Sequence, residues 1–452
     1  MSAAPSALAP PLGSLLDEVK ATPTGLRLLD EIDQRERGEG AAHTDAALRL
    51  FGQAEEDVRV TLYRDTAAWC PYCQKVWLLL EEKQIPFRIV KINMRSYGDK
   101  PPSFLRKVPG GLLPAIELDG QLMTDSLPIM ATLDAAFDSG PPMIPPQGSA
   151  DRERANTLLR LERELFSAWC RLTFQPGKGL FDAHERGFME SLNKVDLALG
   201  ETPGPWFLGG DAPSLVDLQY VSHVERMVAS VAFWKGIRMR DASKLPNLEK
   251  WLQAFEVRPT YMATKSDPYT HVMDIPPQYG PGYGVGAAEP YAQKISGKGG
   301  SWSWPPNEDD PLAIEPLSPL LASQGEAGAR HEAAFKLLSN LDAVVRFAAR
   351  GSGQRGSKTF QAPLADPYAI ADETIVPQVD AALRLVAYVL LRGADGLGNG
   401  APAELTGLGR RSKDLVLCLE YLRERIGVPR DMSETAAAAL RAHLNWAIAL
   451  VG

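Results

Sequence analysis

Only four cysteines occur in 452 residues, Cys70, Cys73, Cys170 and Cys418. That is too few to staple a secreted chain of this size and fits a reducing compartment. No apolar run approaches the roughly 20 residues that a helix needs to cross a bilayer. Positive charge is also short: 48 Lys and Arg against 56 Asp and Glu leave a net charge of −8, which excludes general attraction to nucleic acid or to an anionic membrane surface. The six histidines show no i, i+4 pair and no ligand cluster, and none is given a role. Residues 1–16 contain no Arg or Lys, so they lack the basic n-region of a secretory signal and the arginines of a transit peptide. Either no targeting segment preceded this stretch or one was removed.

What is present is globular in character. Apolar residues make up 45% and charged residues 23%, close to average, and the length suits roughly two to four domains. Residues 1–56 form an N-terminal extension in which 13–50 read as one or two helices, with Leu15, Leu16 and Val19, then Leu28, Leu29 and Ile32, at helical spacing. Residues 57–138 read as a compact α/β unit: strands at 58–63 and 87–92, a helix at 74–83, a hairpin around Asp119-Gly120 and a closing helix from Ser126. After a Pro- and Gly-rich linker, residues 150–264 are mostly helical, and Ser214-Leu215-Val216-Asp217 has capping-box spacing. Residues 265–328 carry many Pro, Gly and aromatic residues with little periodicity and read as an irregular crossover. Residues 329–452 read as four helices in an up-down bundle, the last capped by Asp431 with Glu434.

The chemistry concentrates in Trp69-Cys70-Pro71-Tyr72-Cys73, placed between a strand and a helix. A Cys-x-x-Cys there is the thioredoxin-like redox arrangement. Free N–H groups and the dipole at a helix N-terminus stabilise a thiolate, the species that attacks a disulfide. Cys73, one turn on, is placed to resolve the mixed disulfide. A zinc site is the poorer reading, because two cysteines supply only two of four ligands and no second pair completes them. An iron–sulfur cluster would need a partner or glutathione for its remaining ligands. Cys170 and Cys418 fall in helical stretches and read as core cysteines.

From Val60 to about Lys265 the chain resembles a soluble glutathione transferase. The resemblance rests on Cys70-Pro71-Tyr72-Cys73, Lys100-Pro101-Pro102-Ser103-Phe104-Leu105, Val108-Pro109-Gly110-Gly111-Leu112-Leu113-Pro114-Ala115-Ile116, Thr124-Asp125-Ser126, and the stretch from Phe207 to Leu218. It implies an α/β thioredoxin-like domain and an all-α second domain, followed by an extra, mostly α-helical domain. A cysteine at the catalytic place resembles the omega and lambda side of the family. With the C-terminal extension and the Cys-Pro-aromatic-Cys signature, the chain is most similar to the iota class of photosynthetic organisms. The resemblance implies Cys70 as nucleophile with Cys73 beside it, and Tyr72 flanking the sulfur. It also implies a cis bond before Pro114 that leaves the Leu113 backbone free for the cysteinyl part of glutathione, Asp125 and Ser126 for the γ-glutamyl carboxylate, and Lys100 for the glycyl carboxylate. The chain departs from glutaredoxins in having no lysine in Asp65-Thr66-Ala67-Ala68-Trp69.

Two functions follow. The first is a glutathione-dependent thiol transferase or reductase acting on small oxidised or glutathionylated substrates, dehydroascorbate among them. The second is a transferase-fold protein that holds a conjugated cofactor such as flavin mononucleotide (FMN) in its extension. For the second, Trp302 and Trp304 offer planar surfaces, and the loop with Arg355 and Lys358 offers cations and backbone N–H groups to a phosphate. Nucleic-acid and membrane partners are not expected. The location expected is the chloroplast, from the resemblance, or the cytoplasm.

Overall fold

The structure is a computed structural model that describes residues 9–140, 142–176, 179, 181–307, 309–356, 363–393, 405 and 411–452. Two helices open the chain, α1 (Leu12–Ala21) and α2 (Pro23–Glu36). The α/β unit follows as β1 (Leu48–Arg49), β2 (Val60–Asp65), α3 (Pro71–Glu82), β3 (Phe87–Ile92), α4 (Pro102–Lys107), β4 (Ala115–Leu118), β5 (Gln121–Thr124) and α5 (Ser126–Ala136). Its five strands lie in the order β1-β3-β2-β4-β5. Strands β2 and β3 are parallel, and the other pairs are antiparallel. The hairpin turns at Asp119 and Gly120, both at positive φ (50° and 80°), the conformation that an Asp-Gly pair adopts at low steric cost.

Helices α6 (Ala150–Phe174), α7 (Phe181–Leu199), α8 (Leu215–Lys235), α9 (Pro246–Glu256) and α10 (Pro259–Met262) form the second layer. Helix α8 is buried along almost its whole length, so no face of it needs to be polar. Asp217 near its start is fully buried and accepts from Ser214 N (2.8 Å), Phe207 N (3.1 Å) and Trp251 Nε1 (2.9 Å). The capping-box residue therefore also ties the preceding loop and α9 to this helix.

The crossover is more regular than its composition implies. It contains α11 (Pro268–Tyr279), α12 (Glu289–Ser296) and, later, α13 (Pro319–Ala322). Helix α11 survives its prolines because of where they fall. Pro268 stands in the first turn, where no N–H partner is needed, Asp267 caps Thr270 N at 2.9 Å, and Pro276 and Pro277 come only in the last turn. The bundle consists of α14 (Gly325–Ser339), α15 (Leu341–Ala348), α16 (Val376–Arg392), α17 (Arg411–Arg423) and α18 (Glu434–Val451). The first of the four expected helices is broken at Asn340. The cap of α18 is Ser433, whereas Asp431 accepts from Gly427 N (2.7 Å) and pairs with Arg430 (2.7 Å).

Two large apolar cores result. One joins the sheet, α3 and the helices of the second layer to α11. The other joins the bundle to α1 and α2. The first two helices thus complete the far end of the molecule, where Arg392 pairs with Glu18 (2.5 Å) and Arg384 donates to Pro10 O (2.7 Å). Of the expected helical stretch 13–50, the part after α2 is turn and the short strand β1. Helix α11 links the two cores. Arg441 of α18 pairs with Asp267 at 2.5 Å, both side chains being buried, and Val428 N donates to Thr270 Oγ1 at 3.0 Å. On its other side the Tyr97 hydroxyl lies 3.0 Å from both oxygens of Asp274.

Two outcomes follow from these contacts. Arg441→Ala leaves the Asp267 carboxylate buried without its counter-charge, and urea denaturation of the full chain should show a loss of about 3–5 kcal/mol. Burial pushes the Asp274 carboxyl up to about 7, against the lowering effect of Tyr97 and Arg430. An unfolded aspartate titrates near 3.9, so between these two values the folded chain holds a proton that the unfolded chain releases. The contribution of Asp274 is complete below about pH 4, declines as pH rises to about 7 and is level above that. Asp274→Asn removes this slope, so its stability relative to wild type should rise between about pH 5 and about pH 8 in parallel urea titrations.

Candidate functional site

Sheet register collects four loops at one end of the sheet. Tyr63 near the end of β2 pairs with Ala115 at the start of β4, and Ala115 pairs with Thr124 at the end of β5. In the parallel pair, Asp65 lies beside Ile92 at the end of β3. The segment leading to Cys70, the Leu113–Pro114 step, the Asp125-Ser126 joint and the loop leading to Lys100 therefore all leave the sheet at the same end. The Leu113–Pro114 bond is cis. Asp125 takes φ 68° as the residue before α5, and the Ser126 side chain is buried in the first turn. Lys100, half-buried, donates to Asn93 O at 2.7 Å and lies close enough to Cys70 and Cys73 to feel both thiols.

Cys70 is the N-cap of α3, with Pro71 at the first helical position and Gln74 N bonded to Cys70 O at 2.9 Å. The residue thus stands at the helix end whose amide N–H groups lack intrahelical partners, although its side chain makes no capping hydrogen bond. Cys70 is partly exposed, Cys73 is buried, and both are free thiols. Burial pushes the Cys73 thiol well above its usual range, and the neighbouring Cys70 adds to that. The two sulfurs and a carboxylate oxygen of Asp65 all lie within 4.8 Å of one another. Among the described residues this group stops at three ligand atoms, one short of a tetrahedral zinc site.

Asp65 also builds the loop: its Oδ2 accepts from Trp69 N at 2.7 Å, and its Oδ1 is buried with no hydrogen-bond partner among the described residues. The Trp69 ring is held from two sides. The Arg226 guanidinium of α8 lies 4.8 Å from its centroid and donates to Trp69 O. His271 of α11 accepts from Trp69 Nε1 at 3.1 Å. That contact assigns the His271 proton to Nε2, which faces Glu225 at 3.6 Å, and burial keeps the ring neutral by holding its pKa well below the usual range.

Beneath Tyr72 runs a second buried polar chain. Lys75 Nζ donates to Gln219 Oε1 (2.7 Å), Gln219 Nε2 to Glu162 (3.2 Å), and His223 Nδ1 to Glu162 (2.8 Å). Burial lowers Lys75 to about 8 and His223 to about 4, while Glu162 and the Cys70 sulfur both favour the Lys75 ammonium. The Tyr72 ring packs edge-on against His223 at 5.4 Å, and burial raises its phenol. Lys75 therefore brings a cation near the thiol from inside the helix, where the preceding loop carries none.

Among the described residues, those singled out for a second cofactor do not converge in this way. Trp302 packs edge-on against Tyr269 (4.9 Å) and under Arg441 (5.1 Å). Trp304 packs against the bundle core, and Arg355 is exposed in a loop. Lys358 lies outside the described residues. The residues that sequence reasoning passed over are Asp65, Lys75, His223 and His271. Asp65 stood in plain view five residues before Cys70. The histidines, by contrast, come from distant helices and form no local pattern.

Comparison with known proteins agrees with this geometry. Residues 69–136 match the glutathione S-transferase N-terminal domain and residues 178–254 the C-terminal domain. Glutathione S-transferase L1 of Arabidopsis thaliana is 30% identical over 203 residues, 44% of this chain and 79% of the relative. Protein IN2-1 homolog A of Oryza sativa subsp. japonica is 29% identical over 210 residues, 46% of this chain and 81% of the relative. Glutathione S-transferase DHAR2 of Arabidopsis thaliana is 26% identical over 202 residues, 45% of this chain and 86% of the relative. Each alignment thus takes in most of the relative and less than half of this chain. With a thioredoxin-like domain, a helical second domain and a further helical region beyond them, the chain belongs to the glutathione S-transferase family.

Proposed function

We propose that the chain is a glutathione-dependent thiol transferase or reductase with Cys70 as its nucleophile. The observation that carries this reading is the partly exposed Cys70 at the N-terminus of α3, beside the loops of Lys100, Leu113–Pro114 and Asp125-Ser126. The relatives named L1 and DHAR2 support it by kinship. Glutathione, the cosubstrate that the family implies, would set its glycyl carboxylate on Lys100. Its cysteinyl backbone would meet Leu113 beside Pro114, and its γ-glutamyl carboxylate the N–H groups and hydroxyl at Asp125-Ser126. Tyr72 would flank the sulfur.

On a glutathionylated substrate, the Cys70 thiolate attacks the glutathione sulfur. The substrate's S–S bond breaks, a Cys70–glutathione disulfide forms, and the departing thiolate takes a proton from solvent. A second glutathione, as thiolate, attacks the mixed disulfide, releases oxidised glutathione and returns Cys70 as thiolate. Resolution by Cys73 would instead release glutathione and leave a Cys70–Cys73 disulfide for two glutathiones to reduce. Burial opposes that branch by holding the Cys73 thiol protonated. Asp65, within 4.8 Å of it, is the nearby proton acceptor. The iota-class resemblance and a chloroplast location belong to this reading as its finer part, the first resting on the added helical region. An FMN site at Trp302, Trp304, Arg355 and Lys358 has weaker support, because both indoles are already packed.

Cys70→Ser should lower glutathione-coupled reduction of a small disulfide by at least about a thousandfold, whereas Cys73→Ser should keep most of the rate. Full activity in Cys70→Ser would sink the proposal. Lys100→Ala should raise KM for glutathione by roughly tenfold or more with kcat largely kept, as expected when one hydrogen bond to a charged group is lost. Steady-state kinetics with glutathione varied reads both constants.

A further inference from the structure

Tyr279 is the last residue of α11 and lies outside both segments that match the family. Its ring stacks on Phe174 (centroids 5.7 Å apart, planes 9° apart) and meets Trp169 at 5.4 Å and Phe166 at 6.2 Å, all three from α6. Its hydroxyl faces that of Tyr72, the residue that flanks Cys70. The added region thus sets a large side chain against the wall of α6 beside the sulfur.

Tyr279 is held there from both directions. Helix α11 is anchored at its start by the buried Asp267–Arg441 pair. The strap that follows is sewn to the ends of α6 and α8: Tyr283 N donates to Thr173 O (3.0 Å), Lys235 Nζ to Tyr283 O (2.6 Å) and Val285 N to Trp234 O (3.0 Å). Gly282 lies so flat on Trp234 that a Cβ would stand 2.2 Å from the ring. The Tyr279 hydroxyl is shut from solvent and has that of Tyr72 as its facing polar group. Burial raises the phenol well above its usual range, as do Tyr72 and Cys70, so it stays protonated.

We propose that Tyr279 is the specificity-determining residue on the acceptor side of Cys70. Together with Tyr72 it narrows the approach, admitting slim aliphatic disulfides and small oxidised acceptors and rejecting acceptors with an aromatic or peptide group on the leaving sulfur. The ring does the excluding, so Tyr279→Phe behaves as wild type and Tyr279→Ala opens the site. The substrate class rests on the thiol-transferase reading, but the narrowing does not.

The test therefore has two arms on the full chain. In the first, Cys70 is alkylated by iodoacetamide or by a pyrenyl maleimide, and modification of the Cys70 peptide is followed by mass spectrometry. The ratio of the bulky to the small reagent's rate should rise by about tenfold or more in Tyr279→Ala, rise less in Tyr279→Leu, and stay put in Tyr279→Phe. General loosening by the alanine raises both rates and leaves the ratio unchanged. An unchanged ratio in Tyr279→Ala, or one that moves equally in Tyr279→Phe, overturns the proposal. In the second arm, glutathione-coupled turnover is compared for the glutathione mixed disulfide of 2-mercaptoethanol and for a glutathionylated peptide. The relative kcat/KM for the peptide should rise in Tyr279→Ala. If wild type turns over neither substrate while the alkylation ratio responds, the thiol-transferase reading falls and the narrowing stands. Turnover with an unmoved ratio overturns the narrowing and leaves the thiol-transferase reading in place.

Discussion

Trp69 is gripped by three parts of the chain at once. Asp65 at the end of β2 accepts its backbone N–H, Arg226 of α8 covers its ring and bonds its carbonyl, and His271 of α11 takes its indole N–H. The next residue is Cys70. The placement of Cys70 is therefore set jointly by the sheet, the second helical layer and the added region. Each of these contacts is buried, where hydrogen bonds and a cation over an aromatic face act at low effective dielectric. The region beyond residue 265 is part of the frame that holds the sulfur.

The two cysteines of one motif differ because burial treats them differently. Cys70 keeps contact with solvent at the helix start, while Cys73 is enclosed and its thiol stays protonated. The cations around them differ in the same way. Lys100 is half-buried at a loop end and bonded to the Asn93 carbonyl, whereas Lys75 is enclosed and tied to Gln219. A chain that lacks a lysine in the loop just before Cys70 thus has two nearby, both from residues that follow the cysteine.

Much of the first two layers was legible because their signals are local. The hairpin at Asp119-Gly120, the strand–motif–helix around Cys70 and the long amphipathic α6 each announce themselves within a few residues. The Asp217 cap was equally readable, although not its reach to Phe207 and Trp251. Misreadings fell where composition and structure part. Prolines hid α11, since composition does not register that Pro268, Pro276 and Pro277 stand at its two ends. The aromatic residues Trp302 and Trp304 looked like a ligand surface because sequence shows the ring and not its neighbours; here Tyr269, Arg441 and the bundle core occupy them.

By itself, the sequence determined the chemistry on offer and its local setting: a thiol at a helix start, a proline before β4, a serine opening α5 and a lysine ahead of α4. These follow from backbone preferences that act over a few residues. Only the tertiary structure decided how far that chemistry is shaped by distant parts. The register of the sheet brought the loops together at one end. Packing across more than two hundred residues set His271 behind Trp69 and Tyr279 before Tyr72. Such pairings arise from burying apolar surface, which is non-directional and leaves no spacing in the chain to read.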